Sequence, residues 1–167
     1  MLVLGIDPGL ALTGFGVVEE INNKVQLQRV GCIRTPATLP AAERLQIIFN
    51  ELAAVLVEGK INTAAVEQLF FNTNVTTALA VAQARGVILL ALANQNIPTA
   101  EYTPLQVKQA LTGFGRADKG QIQRMVQSML GLKEIIRPDD AADAVAIALC
   151  HLQSYRFSQA IGKGGQR

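Results

Sequence analysis

The residues of this chain best suited to chemistry are four carboxylates. Asp7 ends the apolar run that begins at Leu2, and Glu67 follows Ala64-Ala65-Val66. Asp140 and Asp143 stand three apart near the other end of the chain. Acids gathered in apolar surroundings repel one another and resist desolvation unless a cation stands between them. The donors are oxygens, with no His or Cys cluster beside them, so the fitting cations are Mg²⁺ or Mn²⁺ rather than zinc. Two such ions about 4 Å apart are the equipment of in-line phosphodiester hydrolysis.

Each acid also has an ordinary reading. Asp140 and Asp143 share a helix face, and acids in a first turn cap free N–H groups and favour the helix dipole. Asp139 reads as the cap itself. Asp143 is harder to explain that way, because Ala141, Ala142, Ala144, Val145 and Ala146 surround it. Asp7 could be a turn residue before Pro8-Gly9. Glu67 could pair with an arginine. Four such accidents on elements that converge are a poor explanation, so the four are read together as one site.

The elements must bring them together. Leu2 to Asp7 reads as a buried strand, closed by Pro8-Gly9 in the central positions of a type II turn. Leu12 to Glu20 is a second strand, and Asn22-Asn23 signals a hairpin into a third at Lys24 to Thr35, with a bulge near Arg29. Ala41 to Val57 is an amphipathic helix stopped by Gly59; Leu45, Ile48, Phe49, Leu52, Val55 and Leu56 form its buried face. Asn62 to Glu67 is then a crossover strand parallel to the first, which places Asp7 and Glu67 at one carboxyl edge of the sheet. Thr76 to Asn94 is a helix apolar on nearly every face. It is either central or shared between the domain and a second subunit. Pro98 to Tyr102 is a fifth strand. Pro104 to Leu111 and Lys119 to Leu130 are helices joined by a Gly113-Phe114-Gly115 link. The last helix spans about Asp140 to Leu152. The expectation is one α/β domain over 1–157, a five-stranded mixed sheet flanked by helices, and a flexible tail over 158–167.

Composition sets limits. Half of the 167 residues are hydrophobic and 17% are charged, which argues for a packed core and against disorder. Net charge is only +2, but residues 101–167 hold nine Lys/Arg against six Asp/Glu, while residues 1–100 hold six against seven. A basic surface around an acidic site suits a nucleic acid. Cys32 and Cys150 form no Cys-x-x-Cys pair and no signal peptide is read, so a reducing cytoplasmic setting is expected. The apolar stretch Ala78 to Ala93 is too short and too interrupted, by Gln83 and Arg85, for a membrane span. Gly14 and Gly16 lack the strand-to-helix context of a phosphate loop. They are read as allowing close strand packing or approach of DNA. His151, the lone histidine, is read as structural.

Five blocks carry a family resemblance: Ile6-Asp7-Pro8-Gly9 with Thr13-Gly14; Val66-Glu67-Gln68 with Phe70; Gln83-Ala84-Arg85-Gly86; Gln106-Val107-Lys108-Gln109; and Asp140-Ala141-Ala142-Asp143-Ala144. In this order and spacing the chain resembles the RuvC family of Holliday junction resolvases, from Leu2 to about His151. The resemblance implies a ribonuclease H-like fold and a homodimer. It also implies metal-dependent paired nicking of four-way DNA junctions with two Mg²⁺ per site, and cooperation with the RuvA and RuvB branch-migration proteins. The family's catalytic, metal-binding acids fall on Asp7, Glu67, Asp140 and Asp143. Some members carry His where this chain has Asp140. Lys108 and Lys119 match family lysines expected to touch DNA phosphates. Arg116 joins them here on charge alone. Phe70 reads by position as core or as a stacking platform for an unpaired base, and the resemblance favours stacking.

Two rival classes compete. A nucleotide-binding ATPase of the actin, Hsp70 and sugar-kinase type opens with a similar Asp-x-Gly…Thr-Gly stretch. It needs two such domains and a second phosphate loop, and no second loop is found here. A non-catalytic junction-binding protein would be expected to lose one of the four acids, and all are present.

Overall fold

The structure is a computed structural model that describes residues 1–68 and 75–164. Ten elements follow one another: β1 (Leu2–Asp7), β2 (Leu12–Ile21), β3 (Lys24–Arg34), α1 (Ala41–Gly59), β4 (Thr63–Glu67), α2 (Val75–Asn94), β5 (Thr99–Tyr102), α3 (Pro104–Thr112), α4 (Lys119–Leu130) and α5 (Asp139–Gly164). The five strands form one mixed sheet in the order β3-β2-β1-β4-β5. β1, β2 and β3 pair antiparallel; β4 and β5 join parallel to β1. The expected α/β architecture of a meander extended by parallel strands is present.

Local chemistry explains most boundaries. Asn22 and Asn23 both have positive φ, 51° and 63°, which is what a two-residue hairpin turn between twisted strands requires. The expected bulge lies beside Arg29: Val17 pairs with Arg29 and Val18 with Leu27, leaving Gln28 as the extra residue. Two expectations fail in detail. Gly9 is not among the glycines with positive φ, so Pro8-Gly9 is no type II turn. A side chain there would instead strike the Leu12 carbonyl, 2.2 Å from an ideal Cβ. α1 includes Gly59, and its left-handed cap is Lys60. α3 and α4 begin on reciprocal capping boxes, Thr103 with Gln106 and Asp118 with Gln121.

Helices cover both faces of the sheet. Leu4, Ile6, Phe15, Val17, Ala64 and Val66 pack with α1 and α2 into one core. On the opposite face Val3, Val18 and Ala65 pack with α3, α4 and α5. The period-two alternation of β1 therefore sends Ile6 to the first face and Asp7 to the second. α2 buries Ala84, Ile88, Ala91 and Leu92, while Leu79 and Leu90 are 59% and 55% exposed. It is thus not a central helix but one with a second, open apolar face. α5 runs on to Gly164 rather than stopping near Leu152, so the backbone of residues 158–164, expected in a flexible tail, is helical. Among the described residues no helix is long and apolar enough to cross a membrane.

Candidate active site

α5 lies against β1 and β2 with no side-chain layer between them, because the strands present glycine there. An ideal Cβ on Gly5 would fall 2.0 Å from the Ala144 carbonyl oxygen, and one on Gly14 would fall 2.0 Å from that of Asp140. One on Gly16 would meet Val145 at 2.4 Å. Gly14 and Gly16 therefore serve neither strand packing nor DNA approach; they seat a helix backbone. The first turns of α5 are held directly over the carboxyl end of β1.

That seating gathers the four carboxylates. Asp7 pairs with Gly14 across β1 and β2. Ile6 pairs with Val66 in parallel register, so Glu67 emerges beside Asp7 at the same sheet edge. Asp140 and Asp143 come down from α5. Burial, then Glu67, Asp143 and Asp140 in turn, push the Asp7 carboxyl up to about 8, with Lys119 opposing. Burial and the Asp143 charge raise Glu67. Burial raises Asp143 as well, against the hydrogen bond and charge of Lys119. The Lys119 ammonium spans Asp143 and Asp139, 3.1 and 3.3 Å from their carboxylate oxygens. One exposed ammonium cannot neutralise such a group.

Asp139, expected as a cap, has another role. Its carboxylate accepts from Gln123 at 2.9 Å and Arg137 at 2.8 Å, besides facing Lys119. Those donors hold it below the usual carboxylate range, the Lys119 hydrogen bond foremost. Lys108 and Lys119 line a cleft of about 200 Å³ with Glu67 and Asp143. Arg116 does not join them; it lines a separate surface pocket with Phe114 and Arg124. Phe70 lies outside the described residues.

Two further residues stand near the acids without any signal in the sequence. Arg44 of α1 lines an open pocket of about 460 Å³ together with Asp140 and the turn after β1. Cys32 pairs with Gly14 across β2 and β3. Burial and the nearby Asp140 charge raise its thiol, which keeps it protonated and a poor ligand.

The donor chemistry fits hard divalent cations. Carboxylate oxygens predominate, and their raised affinity for protons marks an unmet demand for positive charge. Among the described residues no three of His, Cys, Asp or Glu stand in ready ligand geometry. Binding would therefore draw these side chains inward.

The fold is ribonuclease H-like, and an acidic site at the carboxyl edge of its sheet marks the class of acid-bearing nucleases. The model of the family Crossover junction endodeoxyribonuclease RuvC matches residues 3–151. The chain is 53% identical to the crossover junction endodeoxyribonuclease RuvC of Desulfitobacterium hafniense over 162 residues, 97% of this chain and 98% of that relative. It is 56% identical to that of Moorella thermoacetica over 151 residues, 90% of each chain. A solved structure of Thermus thermophilus RuvC in complex with Holliday junction substrate superposes with a TM-score of 0.90 at 40% identity, covering 95% of this chain and 96% of that one. The chain belongs to the RuvC family of crossover junction endodeoxyribonucleases and is a hydrolase acting on DNA.

Proposed function

We propose that this chain resolves four-way DNA junctions by paired, symmetric nicks, with Asp7, Glu67, Asp140 and Asp143 as the catalytic, metal-holding acids. The observation that carries this reading is the convergence of those four carboxylates at one sheet edge, with Asp7 raised to about 8 and, among the described residues, Lys119 the cation that opposes the rise. Two Mg²⁺ ions, or Mn²⁺, held there would activate the attacking water and stabilise the leaving oxygen of an in-line displacement. Asp7 and Glu67 hold the sheet side of the site and Asp140 and Asp143 the helix side. Lys108 and Lys119 offset charge on the bound strand. Lys119 turns from Asp143 toward phosphate once that acid is otherwise neutralised. Cleavage leaves a 5′-phosphate and a 3′-hydroxyl, ends that a ligase can rejoin. Phe70, three residues beyond Glu67, stacks on an unpaired base near the junction centre, and Arg116 meets a phosphate further along the arm.

The working unit is a homodimer. The exposed ridge of α2, with Leu79, Gln83, Gly86 and Leu90 at helical spacing, supports this reading, since Gly86 has nothing within 4 Å to keep a second backbone away. A two-fold dimer offers two sites to a junction of matching symmetry. Free Cys32 and Cys150 suit a cytoplasmic setting beside the chromosome. RuvA and RuvB would deliver the junction there.

The test is cleavage of synthetic four-way junctions of several sequences with Mg²⁺, comparing the parent with Asp7→Asn. Paired nicks by the parent alone support the reading. Equal cleavage by Asp7→Asn, or none by the parent on any junction, defeats it.

A further inference from the structure

Positive charge is assigned so far to one flank of the carboxylates, where Lys108 and Lys119 share a cleft with Glu67 and Asp143. The opposite flank is the pocket formed by Asp140, the turn at Gly9–Leu12 and α2, and its cation is Arg44. We propose that Arg44 is a phosphate-binding residue that holds the DNA strand on this second flank, so that the bound strand crosses the acids between Arg44 and the two lysines. This rests on the function proposed above.

Three observations converge on it. Arg44 forms no ion pair with a carboxylate among the described residues, as is true also of Arg34, Arg116 and Arg124, but of these four it alone lines a pocket with one of the acids. Its guanidinium is nevertheless aimed. Nε donates to the Thr35 hydroxyl at 2.8 Å, and that hydroxyl in turn donates to the Leu10 carbonyl. Thr35 is itself buried, and its backbone N–H donates to the Ala11 carbonyl at 3.1 Å. Arg44 is thereby fastened through one nitrogen to the turn that follows Asp7. Among the described residues its side chain makes no other hydrogen bond, and it lines the pocket.

An arginine pinned at Nε with its fork presented is pre-organised for a phosphate, since little freedom remains to be lost on binding. A structural arginine would have spent its fork on a neighbouring acid. The pocket's protein acid is Asp140, and a strand phosphate resting against Arg44 would sit one step away from the carboxylates rather than among them. The turn carrying Leu10 and Ala11 supplies a wall of backbone, so the recognition is of the sugar-phosphate chain and not of base sequence.

The experiment measures binding without divalent ions, so that nothing is cut. A fluorescent four-way junction and a matched plain duplex are titrated with the parent, Arg44→Gln, Arg44→Lys and Thr35→Val at several salt concentrations. Each contacted phosphate adds about 0.9 to the slope of log affinity against log salt. Arg44→Gln is expected to lower that slope by about this amount and to weaken binding about tenfold on every sequence. Arg44→Lys should keep the slope and recover part of the affinity. Thr35→Val should keep the slope and lose part of the affinity, because charge stays while aim is lost. Melting temperatures separate contact from folding. A folded Arg44→Gln with the parent's slope overturns the proposal. So does a lowered melting temperature with an unchanged slope, which makes the residue structural. Loss of junction preference over duplex in the parent would instead defeat the function proposed above, while the slope on duplex would still report on Arg44.

Discussion

Helix α5 meets the sheet with polar groups at two places. At its start Asp140 and Asp143 face Asp7 and Glu67; about three turns later His151 faces Thr63 and Tyr102. The second group is complete. The Thr63 hydroxyl donates to the Pro98 carbonyl at 3.0 Å, so it accepts from the Nε2–H of His151 at 2.8 Å. Nδ1 then accepts from the Tyr102 hydroxyl at 2.9 Å. Every proton has a place, the ring stays neutral, and burial holds its pKa below the usual histidine value. The first group is incomplete: acids face acids, and among the described residues the one ion pair on these four is that of Lys119 with Asp143. The contrast separates polar groups that hold a fold together from those kept for a ligand, because only the latter leave charge unbalanced.

The strongest way to break that contrast is Asp7→Asn. Junction cleavage should fall by 10³-fold or more, about 4 kcal/mol of barrier, while the melting temperature stays level or rises, because folding no longer has to protonate a buried acid. A parallel loss of stability would move Asp7 into the structural class. His151→Ala should do the reverse. It removes the ring that bridges the Thr63 and Tyr102 hydroxyls and should cost about 2–3 kcal/mol in denaturant unfolding, with cleavage per folded molecule unchanged.

The two regions also respond to pH with opposite sign. Asp7 keeps its proton in the folded state up to about 8, whereas the unfolded chain releases it near the ordinary value of 3.8. Folded protein holds the extra proton in that interval. Metal-free stability should therefore fall as pH rises from about 4 to about 8, by up to about 1.4 kcal/mol per unit, and Asp7→Asn should remove this slope. His151 is depressed, so its contribution is present above about 6.5 and is lost as pH falls below it. Denaturant midpoints across this range, with each variant, resolve the two. Mg²⁺ affinity should rise with pH toward 8, since a bound ion must displace the Asp7 proton; a flat profile by calorimetry would count against Asp7 as a ligand. The smallest expected effect is Asp139→Asn. Its carboxylate serves side-chain donors at the rim, and cleavage should stay within about twofold of the parent.

Much of this was legible beforehand. Asp7 and Glu67 end apolar strands joined by a crossover helix, and that alone puts them at one edge. The hairpin asparagines and the bulge near Arg29 were equally local. The seating of α5 was not, because it depends on Gly5, Gly14 and Gly16 facing one way, and glycine reads first as a loop or turn residue. The partners of His151 lie 88 and 49 residues away, beyond any pattern in the chain. Arg44 carried no signal in the sequence, since only the fold brings Thr35 to its side chain. The length of α5 was misjudged because glycines and lysine near its end argue for a frayed tail on propensity alone, a weak guide to where a helix stops.

The bare glycine track under α5 also limits how the site can move. Side chains between a helix and a sheet act as a yielding layer, letting the helix shift by an ångström or two as rotamers change. Over Gly5 and Gly14 carbonyl oxygens of the helix rest on strand backbone, and no rotamer is available there to yield. α5 and the central strands behave as one solid piece. Adjustment to ions or DNA then falls to parts that can turn: the Lys119 ammonium, the Asp143 carboxylate and the groups on the flanks. Catalytic geometry would be set by side-chain rotation on a fixed anvil, not by helix motion.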